Sequence, residues 1–177
     1  MKWLIIAGGT VALAVALMAL IGSLLPVKHY AARKARFTQT PEAIYAVLAG
    51  PPYWRSDVRA VGELPEKNGR MQWWEQDKHG QKIAYELVEA SPPVRRVTRI
   101  ADASLAFGGT WTIEIAPLLP AGPQSAGGSE VRIAEAGEVY NVFFRFLSRF
   151  VFGYTSSIEG VLKDLGKEFG EAVRIEN

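Results

Sequence analysis

Ile158, Val161, Leu162, Leu165, Phe169 and Val173 recur at steps of three and four, which places all six on one stripe of a helix. Glu159, Lys163, Asp164 and Lys167 fall on the other side. The helical pattern runs from Val142 to Val173, yet Gly153, Gly160, Gly166 and Gly170 interrupt it. Each glycine costs about 1 kcal/mol relative to alanine inside a helix. At about 100° per residue, Gly160 falls opposite the stripe, with Gly166 and Gly170 on its flank. Such a helix is marginal alone and must be held by something wrapped against its stripe. The residues before it read as a sheet suited to that.

The other end of the chain sets a second constraint. Trp3 to Leu25 is an uncharged run of apolar and small residues. As a helix it spans about 35 Å, enough for a hydrocarbon core of about 30 Å. A core helix normally carries a polar face, and this run has none. A cleaved signal has a shorter apolar region and a small-residue cleavage site, and Ile21-Gly22-Ser23 is a poor one. The expectation is a single-pass anchor over residues 1–27, in a bacterial inner membrane. Lys2 and the terminal amine stand on one side, with Lys28, Arg33, Lys34 and Arg36 on the other, so the positive-inside rule favours a cytoplasmic domain. The remaining 28–177, roughly 150 residues, is the size of one domain with a real core. A formal charge of +2 demands no nucleic acid. The absence of cysteine excludes a disulfide framework, a thiolate nucleophile and sulfur-ligated metal.

Pro26 ends the run, and His29 to Gln39 follows as an extended stretch, so the tether is short and the domain lies close to the bilayer. Thr40-Pro41-Glu42 opens a helix with an N-cap, a first-turn proline and an acid at the positive end of the dipole. That helix carries Ile44, Tyr45, Val47 and Leu48 and stops at Gly50-Pro51-Pro52; a short helix holds Tyr53 and Trp54. From Val58 the period changes. Gly69 to Asp77, Lys82 to Ala90, Val94 to Ala101, Gly109 to Pro117 and Glu130 to Val139 read as strands. Asp77-Lys78-His79-Gly80 is a tight hairpin connection, and Leu118 to Ser129 is expected to be a mobile loop without chemistry. Short links make this an antiparallel meander. Alternation turns Met71, Trp73, Ile83, Tyr85, Leu87, Val94, Arg96, Thr98, Ile100, Trp111, Ile113, Ile115, Val131, Ile133 and Glu135 inward. A curved sheet offering so many large aromatics to one helix leaves an apolar hollow, where ligand pockets form.

The order of a strand, a short helix ending near Tyr53-Trp54, a meander, the Phe107-Gly108-Gly109-Thr110-Trp111 turn into a strand, and a long final helix resembles the START / Bet v 1-like (SRPBCC) superfamily. Within it, the chain is most similar to the bacterial polyketide cyclase/dehydrase and lipid transport branch. The resemblance covers Tyr30 to Val173 and rests on order and pattern. It implies an α+β helix-grip fold, with a bent antiparallel sheet around the C-terminal helix and a cavity for hydrophobic ligands. Binders and transporters outnumber enzymes in the family, so fold alone does not decide activity.

Chemistry-bearing patterns are sparse. His29 and His79 are the only histidines, one expected beside the membrane and one in a hairpin turn, and no cluster has metal-ligand spacing. There is no cysteine and no Gly-x-Ser-x-Gly elbow, and Gly108-Gly109 lacks the rest of a phosphate loop; it reads as a close approach of strand to helix. No catalytic residue, metal or cofactor is expected. Arg96 and Glu135, if inward, need partners. Three readings stay open for them: a structural ion pair or solvent contact at the cavity mouth, recognition of a polar headgroup or carbonyl, and an acid/base role for Glu135. The candidate ligand-contacting residues are Trp54, Trp73, Tyr85, Arg96, Trp111, Ile113, Glu135, Phe143, Leu147 and Phe150. Between Asn141 and Tyr154, Phe143, Leu147, Phe150 and Tyr154 extend the core stripe, while Phe146 and Phe152 point elsewhere beside Arg145 and Arg149. A segment apolar nearly all round is buried, partnered or at a membrane surface, and the functional expectation is a portal touching lipid headgroups. The expected function is binding or transport of a lipid or other hydrophobic small molecule. The rivals are a cyclase/dehydrase-like enzyme and an interaction module whose core its own side chains fill.

Overall fold

The computed structural model describes residues 2–119 and 127–177; residues 120–126, most of the expected mobile loop, lie outside them. The first helix, α1 (Lys2–Leu24), is apolar on every side and almost wholly exposed, and its Ile6–Leu24 portion is long and apolar enough to cross a membrane. Strand β1 (Lys28–Phe37) follows at once. Helix α2 (Pro41–Ala49) starts as its sequence dictates: the Thr40 hydroxyl accepts a hydrogen bond from Ala43 N, Pro41 sits in the first turn, and Gly50 ends it. A 3-10 turn, Pro52–Trp54, leads to the meander. This consists of β2 (Val58–Lys67), β3 (Arg70–Asp77), β4 (Lys82–Ser91), β5 (Arg95–Ile100), β6 (Phe107–Leu118) and β7 (Gly128–Val139). β2 was not among the expected strands.

The sheet runs β2-β3-β4-β5-β6-β7-β1 and ends on β8 (Ile175–Glu176), antiparallel throughout. β1 lies beside the last meander strand, in register from Lys28↔Glu138 to Phe37↔Ser129. The register of β5, β6 and β7 sets Arg96 opposite Ile113 and Thr98 opposite Trp111, which in turn faces Glu135. The other face carries Arg95, Glu114 and Arg132, with Glu114 bridging both arginines at 2.6 and 3.3 Å. Met71 and Val94, expected inside, are exposed: Met71 lies next to the β2–β3 turn, and Val94 in the turn before β5.

The long C-terminal helix is interrupted. Helix α3 (Val142–Leu147) widens into a π-helical turn, Ser148–Phe152, and Gly153 at φ +75° breaks the chain direction. Helix α4 (Ser156–Glu168) then stops where Gly170 adopts φ +69°. Glu171 N donates to Gly166 O at 2.7 Å and Gly170 N to Lys167 O at 3.0 Å, a Schellman end. Phe169 and Val173 reach the core from beyond the helix. The expected stripe is its centre: Ile158, Val161, Leu162 and Leu165 pack with Ile44, Tyr45 and Leu48 of α2 and with the inward rows of β1, β6 and β7. Ala31 and Ala35 keep β1 low there, so the helix seats against the strand.

Candidate functional site

The apolar stripe of α4 fills the closed side of the sheet, while its small, polar flank borders an opening. Ser157, Gly160, Val161 and Asp164 face a cavity of about 590 Å³, whose other walls come from β1, β3 to β7, the 3-10 turn and the π-helical turn. A Cβ placed on Gly160 would meet nothing within 4 Å, so the missing side chain is part of that space. The volume suits a small organic ligand, and the described side chains do not plug it.

Seven of the ten expected contact residues line this cavity: Trp54, Trp73, Tyr85, Arg96, Trp111, Ile113 and Glu135. Trp73 and Tyr85, cross-strand neighbours on β3 and β4, stack with ring centroids 5.7 Å apart. Phe143, Leu147 and Phe150 are not in the wall, a correction with a clear cause. Their inward placement assumed an unbroken helix in phase with α4. The π-helical turn and Gly153 reset that phase, so Ser148 and Phe152 reach the cavity instead, beside Tyr154, which was expected on the inward stripe. Phe143 and Phe150 are exposed, and Phe146 packs on Phe150 at 5.0 Å.

Most charges in the wall are already engaged. Arg55 donates to Glu75 at 2.8 Å and to Asp57 at 2.6 and 3.0 Å, and Trp73 Nε1 donates to Glu75 at 2.9 Å. Burial alone would lower the Arg55 pKa, but these two carboxylates raise it, so the guanidinium stays charged. Burial beside Glu75 pushes the Tyr85 phenol well up, leaving it a neutral donor. Asp164, expected on the solvent side of α4, is buried; it accepts from Ser56 N and Oγ at 2.8 and 2.6 Å and from Lys167 at 2.7 Å. It ties the 3-10 region to the helix.

Among the described residues, two buried polar atoms of the wall are left over, and one cation has no carboxylate partner. Arg96 forms no ion pair among the described residues; its guanidinium lies 5.7 Å from the Trp73 ring, and burial lowers its pKa against the opposing influence of Tyr45. It does not pair with Glu135, so of the three open readings the ion pair between these two is absent. The Trp54 indole N–H is buried without an acceptor. Glu135 Oε2 is buried without a donor, and burial pushes the Glu135 pKa up, with Trp111 and Ser157 acting the other way. Buried polar atoms are nearly always paired in folded proteins, so two unmatched ones on the wall of a single cavity mark a place where a polar group of another molecule can bind.

His29 is the residue that the sequence reading misplaced. It is no linker histidine: β1 turns it inward, 3.8 Å from Glu135 through Nε2, and it stacks on Tyr154 with centroids 4.0 Å apart. Burial lowers its pKa, favouring neutral imidazole. The ring lies over Gly137, its partner on β7, where any Cβ would strike it. Gly109, opposite Gly137 on β6, holds φ +138° against Ala136 O, and Gly108 lies under Tyr140. These glycines therefore serve strand-to-strand and ring contacts, and not the approach to the helix that was expected. The signal for His29 was present: His29, Ala31, Ala35 and Phe37 share one parity.

A large antiparallel sheet with helices packed on it is consistent with a Bet v 1-like, helix-grip fold, and solved structures share that fold. Norcoclaurine synthase from Thalictrum flavum superposes with a TM-score of 0.59 at 10% identity, covering 86% of this chain and 92% of that one. A conserved protein from Geobacillus kaustophilus gives 0.57 at 12% identity, covering 84% and 100%. An uncharacterised protein from Bacillus thuringiensis gives 0.56 at 16%, covering 80% and 98%. No family model and no curated protein matches the chain. At these identities the likeness is one of fold.

Proposed function

We propose that this chain is a membrane-anchored binder or carrier of a lipid or other hydrophobic small molecule, of the START-like, polyketide cyclase/dehydrase and lipid transport kind. The observation that carries this reading is a cavity of about 590 Å³ with aromatic walls, unmatched buried polar atoms on Trp54 and Glu135, and an Arg96 that no carboxylate pairs among the described residues. Apolar burial, worth about 25 cal/mol per Å², supplies the affinity. Arg96 and Trp54 donate to the polar end of the guest, and Glu135 accepts. α1 holds the domain at the bilayer, on the cytoplasmic side if the basic residues after it set the orientation.

Tryptophans in the wall make the test direct. Indole emission overlaps the absorption of cis-parinaric acid, so energy transfer to that probe reports occupancy. Transfer is expected in the wild type and lost in Gly160→Phe, whose ring projects into the cavity from the α4 glycine with open space around it. Equal transfer in both proteins would contradict binding at this place.

A second reading has one observation in its favour. A carboxyl with a raised pKa facing an imidazole at 3.8 Å is an arrangement suited to acid/base chemistry. For an enzyme of the cyclase/dehydrase type, Glu135→Gln abolishes turnover while leaving parinaric acid binding in place; unaltered turnover removes Glu135 from the chemistry.

A further inference from the structure

A cluster of exposed aromatic side chains lies where α1 ends. Phe144, Phe150, Val151 and Phe152 are all largely exposed on α3 and the turn after it. From Asn141 to Ser157 the chain has two arginines and no acidic residue. Two contacts fix this segment to α1. Gly22 is buried against the backbone of Val142, where a Cβ would collide with the carbonyl, and Arg145 Nη1 donates to Leu25 O at 2.9 Å. α3 thus lies within about one helix diameter, some 10 Å, of the end of the apolar helix. The same segment is the rim of the cavity: Ser148 and Phe152 line it, and Gly153, with open space around its Cβ position and φ +75°, joins rim to α4.

The geometry points to this segment as an interfacial patch that inserts its aromatic side chains into the bilayer crossed by α1, so that the cavity mouth opens onto lipid. The occupant is a bilayer because the patch is continuous with a helix whose own apolar surface demands one. Aromatic and arginine side chains without acidic neighbours also match an anionic headgroup region. Arg149 forms no ion pair among the described residues and lies 6.0 Å from the Tyr154 ring, so its guanidinium is free for phosphate. The inference rests on the lipid-binder reading for its purpose, but its test does not.

The chain has no cysteine, so single cysteines can carry a fluorophore without background. Full-length protein with Val151→Cys, Phe144→Cys, Leu13→Cys in α1, or Val94→Cys at the far end of the sheet is labelled with NBD. Each is reconstituted in vesicles of phosphatidylcholine and phosphatidylglycerol. Val151 and Phe144 probes are expected to show blue-shifted emission and to lose most of it to lipids with a nitroxide near the headgroup. The Leu13 probe is expected to respond to a nitroxide deep in the acyl chain, and Val94 to neither. A quenched Leu13 probe with Val151 as wet as Val94 overturns the patch while leaving the anchor. A blue-shifted Val151 probe insensitive to nitroxide lipid means that protein covers the patch, and overturns it too. If the Leu13 probe is unquenched, α1 does not span, and the inference falls with it. Parinaric acid transfer, read on the same samples, reports the cavity separately.

Discussion

Glu135 is held in the fold at a cost, and that cost has a pH signature. Burial raises its pKa in the folded state, so the folded protein keeps a proton that the unfolded chain releases. Stability therefore falls as pH rises from the ordinary carboxylate range to the raised value, and stays reduced above it. Glu135→Gln is expected to raise the melting temperature at about pH 7 and to leave it unchanged at about pH 4. A melting temperature lowered at neutral pH would mean that the carboxylate is a structural partner. Single residues were legible where alternation was clean. Arg96, Trp111 and Glu135 faced inward as read, because β5, β6 and β7 pair in an uninterrupted register in that stretch. His29 and Asp164 were not, for opposite reasons. One is a histidine so close to the apolar helix that it reads as part of the linker; the other is an acid on the flank of the stripe, where burial is decided by Ser56, a residue 108 positions away.

Elements were legible through period and caps, and less so at their ends. The α4 stripe is buried to the last residue between Ile158 and Leu165, and Thr40-Pro41 opens α2 as read. β2 escaped because Gly62, Pro65 and two register shifts blur its alternation, although Asn68-Gly69, both at positive φ, is a favoured hairpin turn. The glycines of the last helix separate into two physical kinds, and the same substitution tells them apart. Gly170 sits at φ +69°, so Gly170→Ala is expected to cost about 1 kcal/mol. Gly160 is helical with open space at its Cβ, so Gly160→Ala is expected to stabilise by about 1 kcal/mol. Urea midpoints of the detergent-solubilised protein, at unchanged m, measure both. Equal signs would mean that α4 does not end at Glu168.

At the scale of the molecule, an antiparallel sheet extended past its last meander strand by its own first strand packs on a helix that is too glycine-rich to stand alone. The helix seals one end of the fold with its apolar stripe and leaves room at the other with its small flank. The meander from β3 to β7 followed from pattern, as did the expectation of a hollow between sheet and helix, while whether side chains fill it was not legible. The place of β1 beside β7 did not, because pairing between distant segments leaves no local period. The break in the C-terminal helix decides which aromatics line the hollow and which are left outside, next to α1. Native mass spectrometry of the full-length protein, released from detergent micelles, reads the hollow most directly. Wild type is expected to carry a co-purified apolar molecule that Gly160→Phe lacks, with both chains folded. A wild-type mass equal to that of the bare chain, or the same adduct on both proteins, would contradict a guest in the cavity.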